Sequence, residues 1–564
     1  MAATDRNGSA VASRNINARE AHAGDAGAPP SPPPSPTDTP AAALPDILRR
    51  ARAAQAEWGL HPARARRALA RRLCDVLYER RENLTRGVMR ETGKPLVEAL
   101  FGDVLIALDT AQYYARHAAG FLRDLRVPHH NIAVKAKSGK LHYEPYGVIG
   151  IIAPWNYPLA IPLGQAVAAV VAGNAVVLKP SELAPSSGQM IVECFVAAGF
   201  PPNLVQAIYG PGVIGEALIA ARPDKIVFTG SVDTGKRVAE ACARLLIPSV
   251  LELGGKDAMI VLADADLEAA SSAAVWGSFT NCGQACLSVE RVYVERAVAA
   301  RFTDLCVAKT RALQLGPGSN PENEVGPLIR PEAITRIESQ IREAVSQGAQ
   351  VLCGGHRRPD LGPAYFEPTV VVVANTDVVV ASTDVVVAST DVPNIERPSI
   401  RAPGAGLSLM REETFGPVLA IAAVDSADEA VAFANDSKFG LSASIWTRDV
   451  QRARRLAGRI HAGAVMINDV GSYYGIAEAP HGGRGASGWG RTHSRIGLME
   501  MVQVKYVDVD WLSRWPKAWW FGYNQDLAET ARRFVDFLYA PHWPDRWRGA
   551  IGALRSLARA GRKR

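Results

Sequence analysis

The sequence predicts an α/β protein built on parallel sheet. Three observations carry this. Short apolar runs open at residues 148, 175, 204, 225 and 249. Helical periodicity fills the stretches between them, so strand and helix alternate as in βαβ units. The runs are continuous rather than alternating, as strands buried on both faces must be.

The chain has 564 residues, 48% hydrophobic and 21% charged, enough for two or more domains of about 100–150 residues. No apolar run reaches the ~18 residues of a spanning helix. No apolar stretch follows basic residues near Met1, so no secretory signal is expected. Seven cysteines, sparse and odd in number, suit a reducing, cytoplasmic setting. Neither C-x-x-C nor H-E-x-x-H occurs, and no metal is expected. Residues 511–564 hold eleven of the 63 Lys and Arg but four of the 56 Asp and Glu, so they carry the whole net charge of +7. A balanced body with a basic tail argues against a nucleic-acid enzyme.

In chain order, residues 1–41 are rich in Ala, Pro and Ser and read as a disordered arm. Residues 44–126 read as helices, as in R-R-A-L-A-R-R-L-C-D-V-L-Y-E-R. Residues 131–146 alternate around Ser138-Gly139 and read as a β-hairpin. The parallel-sheet units follow, and a second α/β region runs from Asp257 to about residue 480. Within it, T-D-V-V-V-A-S repeats in tandem from residue 376. Residues 376–408 read as an inserted loop or edge hairpin, with the β-propensity of an aggregation-prone segment.

Ligands of parallel sheets bind at the carboxyl ends of the strands. The loops there hold P-W-N-Y-P at 154–158, K-P-S-E at 179–182, T-G-S-V-D-T-G-K at 229–236 and E-L-G-G-K at 252–256. N-C-G-Q-A-C-L-S-V-E-R follows at 281–291. The glycine spacing at 230–235 is G-x-x-x-x-G, neither a dinucleotide fingerprint nor a phosphate loop. It fits a helix N-terminus that binds pyrophosphate, or a plain turn. Together these loops offer a cysteine, an asparagine amide, a glutamate, and a Lys–Glu pair able to grip ribose. That is equipment for thiolate attack on a carbonyl, hydride removal and thioester hydrolysis.

The ordered motifs resemble the aldehyde dehydrogenase superfamily over about residues 45–510. They include F-x-N-x-G-Q-x-C at 279–286, E-E-T-F-G-P-V at 412–418 and P-H-G-G-R-G-A-S-G-W-G-R at 480–491. A finer likeness is to a bacterial branch that includes carotenoid-dialdehyde dehydrogenase-like proteins. The resemblance implies a Rossmann-type cofactor domain (42–126 and 146–253), an α/β catalytic domain (254–490), and a small oligomerisation sheet (127–145 and 504–510). It makes Cys286 the nucleophile and Cys282 a bystander that could form a disulfide with it under oxidation. Asn156 and the Cys286 backbone N–H hold the oxyanion, and Glu252 activates water. Glu413 holds the nicotinamide ribose, with Phe415 near the ring and Trp155 and Leu253 beside the cofactor. Lys179, Ser181 and Glu182 bind the adenosine ribose, and Gly230, Ser231 and Gly235 lie near the pyrophosphate. Glu182 favours NAD, with NADP as the alternative. Glu252 favours release of a free acid.

The implied substrate is a medium or long, apolar or aromatic aldehyde, because Ala285 and Leu287 flank Cys286 without a cation. Succinic semialdehyde is the alternative substrate, and a non-catalytic scaffold the alternative role. A homodimer or homotetramer is expected. Two departures stand out. His481 replaces the family's usual phenylalanine, which would make the pocket polar or titratable near neutral pH. The 376–408 insertion ends just before Glu413, where a disturbed loop would weaken cofactor binding. Beyond residue 510, six of the eleven tryptophans stand among arginines, a pattern suited to peripheral contact with the inner face of a membrane or to packing on the protein's own body or a second subunit.

Overall fold

A computed structural model describes residues 36–373, 404, 406–514, 517 and 520–561. Most of the 1–41 arm, most of the 376–408 insertion, and Trp515 and Trp519 lie outside the described residues.

Two parallel sheets form the body. The first has the order Gly488–Trp489, Ser249–Glu252, Lys225–Thr229, Val148–Ile152, Ala175–Lys179, Val205–Ala207. Only Gly488–Trp489 runs antiparallel. Every apolar run of this region becomes a strand, and all residues of Val148–Ile152 and Ala175–Lys179 are buried. The helix Ala160–Val171 is buried on every side, as a helix apolar all round must be. It packs between this sheet and the helix Ile106–Phe121, which in turn meets Ala63–Glu79.

The second sheet has the order Gln350–Cys353, Thr369–Val373, Val418–Val424, Val289–Glu295, Asp257–Val261, Ser442–Trp446, Ala464–Ile467. Its one antiparallel member is Gln350–Cys353. Each sheet has its own buried apolar core.

The expected hairpin at 131–146 is absent. Lys137–Pro145 is one continuous strand between Leu125–Val127 and Val502–Asp510. Ser138 and Gly139 are mid-strand, and Gly139 lies under the Tyr506 ring of the neighbouring strand. The partner strand comes from more than 350 residues away, so the local alternation was read against the wrong neighbour. After Asp510 the chain ends in two helices, Gln525–Tyr539 and Trp543–Gly561, packed on each other.

Within the first helical layer the α-helical turn loosens into a π-helix at Ala99–Leu105. Such segments are rare and often border functional sites.

Candidate active site

The chain passes from the first sheet to the second at Leu253–Lys256, and the site forms at this crossing. Glu252 ends one strand and Asp257 starts the next. The helix Leu267–Phe279, capped by Asp266 Oδ1 accepting from Ala269 N at 3.1 Å, delivers residues 280–286 to the same point. Asn281 and Cys282 adopt φ of 51° and 56°, a left-handed conformation costly for side chains other than glycine. Surrounding bonds hold it. Asn281 N donates to Glu98 Oε1 at 2.7 Å, and Asn281 Nδ2 donates to Asn156 O at 3.0 Å. Gln284 Nε2 donates to Asn281 O at 2.9 Å, while its Oε1 accepts from Ile329 N at 2.8 Å.

Cys286 ends this loop and faces a cavity of about 470 Å³. Burial pushes its thiol well above the ordinary range, and the carboxyls of Asp257, Glu413 and Glu252 add to the rise. The resting thiol is therefore protonated and needs a base. Cys282 is fully buried, raised by burial and then by Glu98, and does not line that cavity. Both are free thiols.

Asn156 is buried, and its Nδ2 donates to Gln284 O at 3.0 Å. One amide hydrogen is thus spent on the cysteine loop, which leaves a second for another acceptor. Its backbone O accepts from Lys94 Nζ at 2.8 Å. Lys94 pairs with Asp103 at 2.8 Å, both fully buried. Asp103 Oδ1 accepts from Leu159 N and Ala160 N at 3.1 Å each, which caps the helix starting at Ala160.

Glu252 is buried, and neither carboxylate oxygen has a hydrogen bond of normal geometry. Burial raises its carboxyl well above the ordinary range, against the opposing pull of Arg491 and Thr492. Beside it stands His481, which does not line the cavity. Its Nε2 is 3.6 Å from Glu252 Oε2, and its Nδ1 is 2.9 Å from Tyr473 Oη. The expectation of a group titrating near neutral pH is corrected. Burial, then His493 and Arg491, push the imidazole down to about 3, so it is neutral. In the tautomer where the Tyr473 hydroxyl donates to Nδ1, the ring proton sits on Nε2, on the side of Glu252. His481→Phe removes that dipole and leaves Glu252 harder to ionise. The pH midpoint for rising kcat should move up by about half a unit or more; an unmoved midpoint would separate His481 from the base.

The loop 413–415 lies against the crossing. Glu413 Oε1 accepts from Gly255 N at 3.1 Å, and burial, then Glu290, push its carboxyl up to about 8. Phe415, at φ 49°, meets the Trp155 ring edge-on at 5.6 Å. The loop is braced from beneath. Thr414 N and Phe415 N donate to Glu290 at 2.8 and 3.1 Å, and buried Lys256 joins Glu290 and Thr414 Oγ1.

A second group gathers at the ends of the first sheet's strands. Lys179 Nζ donates to Pro180 O at 3.1 Å and sits 3.5 Å from Glu182 Oε2. Arg330 approaches the other Glu182 oxygen at 3.9 Å. Ser181 Oγ accepts from Leu183 N at 3.2 Å. Gly230 N donates to Glu252 O at 3.1 Å, and Ser231 caps the helix Val232–Arg244 by accepting from Thr234 N. Gly235 leaves room for the Leu253 side chain. Every residue singled out from the sequence thus lies at one of two places, around Cys286 or along this strand-end ledge.

The sequence profile of the Aldehyde dehydrogenase family matches residues 36–387 and 398–507. The chain belongs to the aldehyde dehydrogenase family. It is 37% identical over 494 residues to a 4,4'-diapolycopene aldehyde oxidase of a Methylomonas species, covering 87% of this chain and 86% of that protein. It is 34% identical to a putative NADP(+) succinate-semialdehyde dehydrogenase of Mycolicibacterium smegmatis, covering 81% and 83%. Among solved structures, an NAD-dependent aldehyde dehydrogenase from Sinorhizobium meliloti superposes with a TM-score of 0.77 at 32% identity, covering 86% and 89%. Part of the expected insertion, residues 388–397, falls outside the family match.

This aldehyde dehydrogenase also uses residues that sequence reasoning passed over. Lys94, Glu98 and Asp103 sit in the helical layer, and Lys256 and Glu290 border motifs whose other members drew the attention. A charged residue in a helical stretch normally reads as a solvated face. The one available signal was Gly93-Lys94-Pro95, a break that marks a helix end and no role.

Proposed function

We propose that the protein oxidises apolar aldehydes of medium to long chain to carboxylic acids. The cavity carries this reading. Val97, Phe101, Leu105, Ile106, Trp276 and Tyr474 line it, it ends on Cys286, and among the described residues no Lys, Arg or His lines it. Among the described residues a semialdehyde carboxylate would meet Glu98 as its charged neighbour and no counter-cation in the lining to offset its desolvation. That weighs against succinic semialdehyde.

In the proposed chemistry Glu252 accepts the Cys286 proton, and Sγ bonds to the aldehyde carbon. The oxygen gains negative charge beside Asn156 Nδ2 and the Cys286 backbone N–H. After loss of two electrons and a proton equivalent, a thioester remains on Cys286. Glu252 passes that first proton to solvent, then takes one from water; the resulting hydroxide displaces Sγ to give the acid, and Sγ recovers its proton from Glu252.

The residues fit a nicotinamide dinucleotide. Gly254 is bare where a Cβ would collide with the Glu413 carboxylate, so that carboxylate can lie flat beside the crossing. Lys179 and Glu182 alternate donor and acceptor as vicinal hydroxyls require. Ser231 and Gly230 open a helix N-terminus suited to a pyrophosphate. When bound there, the dinucleotide supplies the two-electron acceptor. Glu182 favours a free 2′-hydroxyl and hence NAD, while Arg330 beside it is the group that would tolerate a 2′-phosphate.

Reduced-cofactor formation with both NAD and NADP, across acetaldehyde, succinic semialdehyde, decanal and benzaldehyde, tests this. We expect kcat/KM to rise from acetaldehyde to decanal by at least about tenfold, since each buried methylene contributes about 0.8 kcal/mol. Preference for the semialdehyde would overturn the reading.

A further inference from the structure

The carboxyl-terminal hairpin is the strongest unexplained surface. Its second helix, Trp543–Gly561, turns small residues toward the first. Ala553 and Ser556 are buried, and a Cβ at Gly549 would collide with the Phe537 backbone nitrogen. The helices therefore touch through glycine. This close seam leaves the large side chains outside. Trp543, Trp547, Ile551 and Leu554 recur at helical spacing and are 67%, 55%, 45% and 68% exposed. Val535 and Tyr539 on the first helix are exposed as well, as is Phe521 just before it. An apolar stripe of this kind is unusual on a free surface.

The charge around the stripe selects its cover. The hairpin 525–561 holds six Arg against four Asp or Glu, a net +2, within a 511–564 tail that totals +7. A second copy of the same tail would bring like charges together. Nucleic acid would match the charge but gives Ile551 and Leu554 nothing apolar to bury against. An anionic bilayer interface satisfies both, with indoles at head-group level, aliphatic groups below them and arginines on phosphates. Among the described residues no helix is long and apolar enough to cross a membrane, so the hairpin would lie in the interface.

We propose that the Gln525–Gly561 hairpin docks the protein on anionic lipid surfaces through the Trp543, Trp547, Ile551 and Leu554 stripe. Vesicle flotation of the full chain tests this without any aldehyde, so it stands or falls separately from the substrate reading. The vesicles are phosphatidylcholine alone and phosphatidylcholine mixed with phosphatidylglycerol. The protein should float with the mixed vesicles and mostly remain below with the neutral ones. Tryptophan emission should move to shorter wavelength on binding. The triple variant Trp543→Ser/Trp547→Ser/Leu554→Ser should lose at least tenfold in floated protein, with acetaldehyde oxidation unchanged. No flotation of the unmodified chain, or equal flotation of the variant, would overturn the proposal. So would a drop in oligomer size of the variant by light scattering, which would assign the stripe to a second copy.

Discussion

Cys286→Ala should abolish reduced-cofactor formation, by at least about 10⁴-fold, with thermal stability nearly unchanged. The thiol ends a cavity rather than filling a core, so its loss removes chemistry and little packing. Glu252→Gln should behave differently. Glu252 serves both the Cys286 thiol and the water, so acylation should slow while the thioester, once formed, persists. Steady-state turnover should fall by about 10²- to 10⁴-fold, and rapid mixing should show a slowed burst that still approaches one per site. The same variant exchanges a buried carboxyl, raised by burial against the pull of Arg491 and Thr492, for a neutral amide, so stability should hold or rise. The sign of the pH effect follows from burial. Burial raises the Glu252 carboxyl well above the ordinary carboxylate range, so the proton-accepting form grows as pH climbs beyond that range, and kcat should climb with it. Glu252→Gln should flatten that limb. Intact-mass detection of an acyl adduct on Cys286 reads the outcome directly. Full turnover by Glu252→Gln, with no adduct, would show that another group activates the water.

Lys94→Met should be among the most damaging single changes outside the chemistry. Lys94 and Asp103 form a fully buried pair. Removing one partner strands the other as an uncompensated charge, at a cost of about 3–5 kcal/mol. Two consequences should appear together. Thermal unfolding should come several degrees earlier. Activity should also drop at temperatures where the variant is folded, because Lys94 Nζ holds the backbone carbonyl of Asn156 and that residue orients the amide beside the cysteine loop. The double variant Lys94→Met/Asp103→Asn separates the two effects. It should recover part of the stability and little of the activity, since a neutral amide at 103 still accepts from Leu159 N and Ala160 N without needing a counter-charge, but Asn156 still lacks its anchor. A double variant with full activity would show that the Lys94 contact is purely structural.

The sequence by itself determined the alternation of strands and helices and the chemistry at the strand ends. Both are local properties. A continuous apolar run reads as a buried strand wherever it is placed, and Pro154–Asn156, Lys179–Glu182, Glu252–Lys256 and Asn281–Cys286 each carry their chemistry within a few residues. What the tertiary structure alone decided depends on segments far apart in the chain. Residue identity said that His481 could titrate, whereas burial beside Glu252 and Tyr473 keeps it neutral and turns it toward the base. Alternation made Ser138-Gly139 a turn, whereas Val502–Asp510 made it mid-strand. The insertion raised doubt about Glu413, whereas Glu290 and Lys256, far from it in the chain, hold the neighbouring Thr414 in place. The apolar character of the cavity comes from the π-helical segment, Trp276 and Tyr474 meeting around Cys286. No window of sequence contains such a meeting, because desolvation and ion pairing are set by which surfaces the packed sheets bring together.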